Sequence, residues 1–271
     1  MNETVLEPQV NVSEMLRLLI CSDLRKNLLL SLRNGATTLA DLRDVTGASS
    51  TAAIHALREL ERERLTLQDD KRNYLLTSSG KVVALHLESF VKTVDVITQF
   101  GTFWLGHDLS GIPDDFLKNI GFLQDSVLLT STPTDVFNAF STFVTLLEKA
   151  KVIKGVLPVF TPGLLDIFAD LAALDIPIEL VVTREVLDTV LELVDRSALK
   201  NVLKPNLKLF VIEQNPKTVF TVTDYFFILG LFRFDGSYDY SNELLSYSVE
   251  GIQWGRGLFD HYMRASKEIQ F

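Results

Sequence analysis

A single cysteine in 271 residues excludes an internal disulfide. That count fits a reducing cytoplasm, so a cytoplasmic location is expected. Cys21 sits among Leu18, Leu19, Ile20 and Leu24. A buried, inert thiol is expected there, because free cysteine behaves as a small hydrophobe. Histidine is sparse as well. His55, His86, His107 and His261 are scattered, with no second ligand type at metal spacing, so no bound metal is expected. Long apolar runs are also missing. The longest, Tyr225–Phe232 and Gly155–Phe160, fall far short of the about 20 residues of a membrane span. The opening MNETVLEPQVNVSEM has no basic start followed by an apolar stretch, so no signal peptide and no membrane partner are expected.

What is present is ordinary for a globular chain. Hydrophobic residues make up 47% and charged residues 23%, near the usual soluble composition. Disorder, collagen and coiled-coil arrays are excluded. At about 100–200 residues per domain, the length suggests two domains. The net charge of −9 argues against non-specific nucleic-acid binding by the chain as a whole. The charge is uneven, however. Residues 1–104 carry 12 Lys and Arg against 13 Asp and Glu, and the remainder carries 14 against 22. The acidity belongs to the second part, and a nucleic-acid role for the first survives.

Residues 13–33 read as helical from Leu16, Leu19, Ile20, Leu24, Leu28 and Leu32. Ser22 and Asp23 are cap residues that can divide the run in two, and Asn34-Gly35 stops it. Thr38 caps a short helix over Leu39–Val45, and Ser49 or Ser50 caps another to about Arg64. Two β-like pieces, Leu65–Gln68 and Tyr74–Thr77, flank the polar tip Asp69–Asn73. Thr77-Ser78 then cap a long helix to about Trp104. The stretch LADLRDVTGASSTAAIHALRELERERLTLQDDKRNYLLTSSGK resembles the winged helix-turn-helix of bacterial and archaeal repressors. It carries apolar Ile54, Leu57 and Leu60, the strand residue Leu65, a charged wing tip, and Tyr74–Thr77 leading to Gly80. Arg64 departs from the family's usual glycine before the first wing strand, so a strained or shifted turn is expected there.

At 100° per residue, Ala53, Ile54, Leu57 and Leu60 face inward. Thr51, His55, Arg58 and Arg62 then lie opposite, with Ser49 and Ser50 at the N-terminal end. In a helix-turn-helix the start of the second helix enters the major groove. Arg58 can read a guanine edge, and Lys71 and Arg72 at the wing tip can meet phosphate. Double-stranded DNA is the expected partner. Glu59, Glu61 and Glu63 favour the alternatives, a merely solvated face or a protein-contact module.

Residues 81–121 read as a linker helix and loop between domains 1–80 and 122–271. The linker carries Val82, Leu85, Phe90, Val94, Ile97, Phe100 and Trp104, too apolar for a lone spacer, and a homodimer is expected because two half-sites need two readers. From Ser126 the pattern alternates. Strands at Ser126–Thr130, Val152–Phe160, Pro177–Thr183 and Leu207–Glu213 are separated by helices at Pro133–Ala150, Pro162–Ala173 and Arg184–Val194. Such βαβ units predict a three-layer α/β domain with a mostly parallel sheet. Thr218–Thr223 and Tyr225–Phe234 follow with almost no connection, which predicts an antiparallel pair, and Val249–Lys267 reads as a last helix. Overall the class is α+β to α/β. The strand ends are polar: Thr130 and Ser131, Thr161, Thr183 with Arg184, and Gln214. Ligands of open sheets bind at that edge, so these six are candidates for a small anionic ligand. Arg184 is the most suggestive, because a cation at a helix start opposes the dipole. The competing reading is that the hydroxyls are helix caps.

In the tail, Asp224, Gly230–Phe232, Asp235-Gly236, Tyr238-Asp239, Trp254-Gly255, Leu258-Phe259 and Tyr262 resemble the archaeal winged-helix regulators of the methanogenesis-regulator type. The resemblance implies a transcription regulator whose second domain senses a small molecule or dimerises. Tyr238 and Tyr240 read as packing residues. Catalysis is not expected. Methyltransferases and dinucleotide enzymes need a glycine-rich loop after the first strand, and here that stretch is LLTSTPTD. No phosphate loop or nucleophile elbow occurs, no phospholipase D motif surrounds His107 or His261, and no cofactor is expected.

Overall fold

The computed structural model describes residues 11–132, 134–193 and 206–269. Pro133 and Val194, expected within helices, lie outside the described residues. The chain divides into two compact units, Met1–Val91 and Lys92–Phe271.

The first unit opens with α1 (Val12–Ile20) and α2 (Asp23–Ser31). The break between them falls where the sequence places it, because the extended Ser22 caps α2 and accepts from the Arg25 N–H at 3.3 Å. That break turns Cys21 outward. The thiol is exposed, contrary to the expectation of a buried one. Thr38 and Asp41 form a reciprocal capping box on α3 (Leu39–Thr46), and Gly47 ends it in the left-handed region at φ 67°. Ser49 caps α4 (Ser50–Arg62), accepting from the Ala52 N–H at 3.2 Å. Ala53, Ala56, Leu57 and Leu60 are the buried face of α4, whereas Ile54, expected inside, is half-buried. Leu57 and Leu60 each contribute about 1.5–3 kcal/mol by leaving water. They pack with Leu28, Leu29, Leu32, Leu42 and Leu65 in one core.

Strands β1 (Thr66–Gln68) and β2 (Tyr74–Leu76) pair antiparallel, with Leu67 opposite Leu75. Arg64 enters this ribbon at φ 58°, so the glycine of the related pattern is replaced here by a left-handed arginine. The helix α5 (Ser78–Gln99) follows. It stops short of the expected Trp104. Phe100 leaves helical geometry at ψ 35°, and a short helix α6 (Gly101–Gly106) buries Phe103 and Trp104. The Trp104 indole N–H donates to the Val96 carbonyl at 3.0 Å, one of the carbonyls at the end of α5.

The second unit is a sheet between two helical layers. In chain order its strands are β3 (His107–Asp108), β4 (Ser126–Thr130), β5 (Ile153–Leu157), β6 (Ile178–Thr183), β7 (Leu207–Ile212), β8 (Thr218–Thr223), β9 (Phe227–Arg233), β10 (Tyr238–Ser246) and β11 (Lys267–Glu268). The order across the sheet is β11-β7-β6-β5-β8-β9-β10-β4, with β3 beside β9. Among the described residues β5-β6 and β6-β7 are parallel and the other pairs are antiparallel. The mixed fold class and three layers stand, but parallel pairing covers less of the sheet than the alternation predicts. Two strands account for this: β8 lies antiparallel beside β5, and β10, a strand absent from the sequence reading, lies between β9 and β4 and is antiparallel to both.

Alternate strand residues feed two cores. On one face Val156, Val181, Phe220, Phe227 and Leu229 pack with Trp104 and with Trp254, Leu258 and Phe259 of the last helix, α11 (Val249–Arg264). The opposite face buries Leu180, Val182, Leu209 and Ile228 under α8 (Asn138–Leu147), α9 (Leu164–Ala173) and α10 (Arg184–Leu193). A short α7 (Asp114–Leu117) precedes β4, and the Phe116 carbonyl accepts from the Trp254 indole at 3.0 Å.

Candidate functional site

In the first unit the geometry is that of a reading helix and a wing. Ser49, Ser50, Thr51, His55, Arg58 and Arg62 are all exposed along α4 and its start. Their environments differ. Arg62 is engaged by the neighbouring Glu63 at 3.3 Å, and His55 lies 3.9 Å from Glu59. Arg58 forms no ion pair or hydrogen bond among the described residues, so its guanidinium is available. The glutamates on this helix are partly neutralised from behind, since Arg25 on α2 reaches Glu59 at 2.8 Å.

Lys71 and Arg72 form the exposed tip of the β1–β2 ribbon. Asp69 shapes that tip, accepting from the backbone N–H of Asn73 at 2.7 Å and of Lys71 at 2.9 Å. The Asn73 contact is the main reason its carboxyl is held below the usual range. Arg72 adopts φ 64° at the tip. The two cations are thus presented on a turn tied by a carboxylate whose own charge is already bonded.

The strand-end candidates of the second unit separate into caps and cavity walls. Thr183 is buried and caps α10, accepting from the Val186 N–H at 3.3 Å. Ser131 accepts from the Ala139 N–H at 3.4 Å, and Thr130 donates to Asn242 at 3.3 Å. Arg184 pairs with Glu213 at 3.3 Å, both side chains exposed, so an anion there would compete with a carboxylate already in place. Gln214 is exposed beside it. Thr161 stands apart from these. It lines two adjoining cavities, one reaching α8 and the antiparallel strands, the other running between α9 and α10.

Two constellations escape the sequence reading, and both depend on β10. The first is a polar cluster around the buried Asp239 and His107. The His107 Nδ1 lies 2.5 Å from the Phe103 carbonyl, and its Nε2 lies 3.1 Å from Asp239. Both ring nitrogens thus face buried oxygen atoms. Asp239 also accepts from Arg233 at 2.8 Å, Asn242 at 2.9 Å and the Ser241 N–H at 3.0 Å. Burial pushes the Asp239 carboxyl up, but these donors outweigh it and hold it below the usual range. The second is the pair formed by the Tyr238 hydroxyl and Glu243, 2.7 Å apart on the wall of the first cavity. A register shift of β10 against β9 separates the two residues, and no regular spacing announces them.

Among the described residues no group of three His, Cys, Asp or Glu could hold a metal ion. Among them, too, no helix is long and apolar enough to cross a membrane.

Comparison with known proteins agrees with this division. Residues 13–95 match the family model described as methanogenesis regulatory protein FilR1, N-terminal domain. Residues 136–265 match that described as methanogenesis regulatory protein FilR1, middle domain. The methanogenesis regulatory protein FilR1 of Methanothrix harundinacea (strain 6Ac) is 29% identical over 252 residues, covering 92% of this chain and 56% of the relative. The chain therefore spans about half the length of the curated relative it matches. Among solved structures, TrmBL2, an archaeal chromatin protein, aligns at 13% identity over 94% of this chain and 97% of that one, with a TM-score of 0.43. An IcIR transcriptional regulator from Alicyclobacillus acidocaldarius aligns at 13% identity over 93% and 96%, with a TM-score of 0.25. Scores this low carry no argument. The two family models, which between them take in both structural units, do: the chain belongs to the family of methanogenesis regulatory proteins of the FilR1 type.

Proposed function

We propose that the protein is a DNA-binding transcription regulator that acts as a homodimer in the cytoplasm and senses a small molecule through its second unit. The observation that carries the reading is the exposed, uncompensated Arg58 on α4 together with Lys71 and Arg72 on a carboxylate-tied wing tip. Arg58 reads a base edge in the major groove, Ser49, Ser50 and Thr51 meet the backbone at the helix start, and Lys71 and Arg72 meet phosphate. His55 and Arg62, each beside a glutamate, contribute less. The pairing of Glu59 with Arg25 lowers the repulsion that the acidic residues of α4 would exert on DNA, which favours this reading over a protein-contact module.

The homodimer is supported by an unpartnered apolar groove on the first unit. Val12, Leu16 and Ile20 of α1, with Val82 and Phe90 of α5, are each more than half exposed and line one groove. An exposed apolar face of this kind marks an interface. A second copy seated there supplies the second reader that a two-half-site operator needs. Effector binding in the second unit then shifts the population between arrangements of the two readers.

Selection of genomic fragments with the purified protein tests the reading, followed by titration of the enriched site at two salt concentrations. A palindromic site bound about a thousand-fold tighter than bulk DNA is expected. Arg58→Ala should cost about 1–3 kcal/mol and relax specificity at one position, and Lys71→Ala should lower the salt slope by about 1. Leu16→Lys should shift the sedimentation equilibrium to monomer and abolish palindrome binding. Failure to enrich any site, with weak binding at both salts, would refute the regulator.

A further inference from the structure

The cavity at the carboxyl end of β5 is built in a way that neither packing nor capping requires. Leu157, Val159 and Thr161 form one side of it, where β5 leads into α9, and Phe140 and Phe143 of α8 form another. The cavity is small, about 70 Å³, so only a compact ligand fits it. A second apolar cavity shares Leu157, Val159, Thr161 and Leu164 and extends the space to Phe168 and Val186.

Among the described residues one charged side chain lines the first cavity, that of Glu243 on β10. Its Oε1 accepts from the Tyr238 hydroxyl at 2.7 Å. Among the described residues no other hydrogen bond reaches the carboxylate and no cation pairs with it. The placement is elaborate. Val219, Gly230 and Glu243 stand side by side across β8, β9 and β10. The register shift between Tyr238 and Glu243 brings both residues of β10 to this point. The glycine is needed for it, since a β-carbon at Gly230 would come 2.1 Å from the Tyr238 hydroxyl oxygen.

A carboxylate in an apolar wall is costly unless paired, and as an acceptor-only group it wants more than the one donor the phenol supplies. We propose that this cavity binds a small apolar amine, its ammonium on Glu243 and its hydrocarbon part against Phe140, Phe143 and Leu157. The ligand class follows from the wall. An anion would face Glu243 unfavourably. A neutral alcohol would satisfy the hydrogen bond but not the charge. An ammonium supplies both, and the rings of Phe140 and Tyr240 on the same wall suit a cation. The excess of 22 acidic over 14 basic residues in residues 105–271 draws cations toward this unit. Burial pushes the Glu243 carboxyl up, and an ammonium beside it would offset that cost. The assignment rests on the reading of the second unit as a sensor.

The test is calorimetric titration of the full chain with 2-phenylethylamine, using 2-phenylethanol and phenylacetate as neutral and anionic comparators of similar shape. The amine should bind at least tenfold tighter than the alcohol, and the acid weakest. Glu243→Gln should erase the preference for the amine over the alcohol while leaving the unfolding transition cooperative. Tyr238→Phe should weaken the amine several-fold, and Thr161→Phe, which narrows the cavity without touching its charge, should abolish binding of all three. Binding in the order acid, alcohol, amine overturns the proposal, as does an amine preference that survives Glu243→Gln or the absence of saturable binding by any probe. Operator affinity measured with and without saturating amine separates the two ideas. Amine binding that depends on Glu243 but leaves operator affinity unchanged upholds the site and removes the sensor reading.

Discussion

Gly230→Ala is a one-methyl change whose sign depends on a single side chain. In most strand interiors the substitution is favourable by about 0.5–1 kcal/mol, because glycine loses more backbone freedom on folding. At this position the new β-carbon would lie 2.1 Å from the Tyr238 hydroxyl oxygen and 2.9 Å from two of its ring carbons. The phenol must withdraw. Overpacking of this kind costs about 1–3 kcal/mol, and moving the hydroxyl off Glu243 forfeits a hydrogen bond worth about 1 kcal/mol. Set against the propensity gain, the net loss is about 2 kcal/mol, or about 4–8 °C in Tm for a unit of this size. The two tryptophans, Trp104 and Trp254, both belong to the second unit, so intrinsic fluorescence in urea reads its unfolding without interference from the first. In a Tyr238→Ala background the clash is gone, and Gly230→Ala should become neutral or stabilising. A single variant as stable as the parent would refute the argument, and so would a cost that persists without the tyrosine ring.

Three further outcomes are expected. His107→Ala leaves Asp239 buried with one donor fewer and the Phe103 carbonyl without its partner. Leaving a buried acceptor without its donor costs about 1–3 kcal/mol, and a loss under about 1 kcal/mol in urea unfolding would contradict a structural role for this ring. Glu243 titrates higher in the folded unit than when unfolded, because burial disfavours its charge. The folded state then holds more protons, so this residue's contribution falls as pH rises from the ordinary glutamate range through the raised folded value. Glu243→Gln should therefore raise Tm at pH 7 and leave it nearly unchanged at pH 4, and equal shifts at both would exclude a buried, titrating carboxyl. Arg64→Gly relieves a left-handed arginine at φ 58° and should gain up to about 1 kcal/mol in thermal unfolding of the first unit, a gain that a drop in Tm would rule out.

The first unit was legible because its signals are local. Thr38, Ser49, Gly47 and the Leu57–Leu60 spacing each act within one turn of helix, and the departure at Arg64 showed which residue would be strained. Strands β4 to β7 were legible because helices of ordinary length separate them. The errors come from long-range facts. Cys21 has apolar neighbours in sequence, but the cap at Ser22 ends the shared helix face one residue too early to bury it. Strand β10 carries Ser241, Asn242 and Glu243 in its middle and a register shift against β9, so its period of two is broken. The pairing of β8 with β5 had no local signal, so the sheet read as mostly parallel, and with β10 unseen neither the His107–Asp239 cluster nor the Tyr238–Glu243 pair could be assembled. Tyr238 and Tyr240 do pack edge to face, with centroids 4.7 Å apart, as the tail's aromatic density implied. Their place on a cavity wall became visible only with the fold.

The two-residue strand β11 has a consequence for how this protein stays in solution. β7 is parallel to β6 and reads Leu-Lys-Leu-Phe-Val-Ile, an apolar ribbon that would otherwise end the sheet with its amides unpaired. Lys267 and Glu268 lie against Val211 and Phe210 there, and both are exposed. A short, charged edge offers little for another chain to extend. Cutting the chain after Ala265 would uncover β7 and convert a guarded margin into a template for strand addition, so such a truncation should self-associate even where its fold is retained.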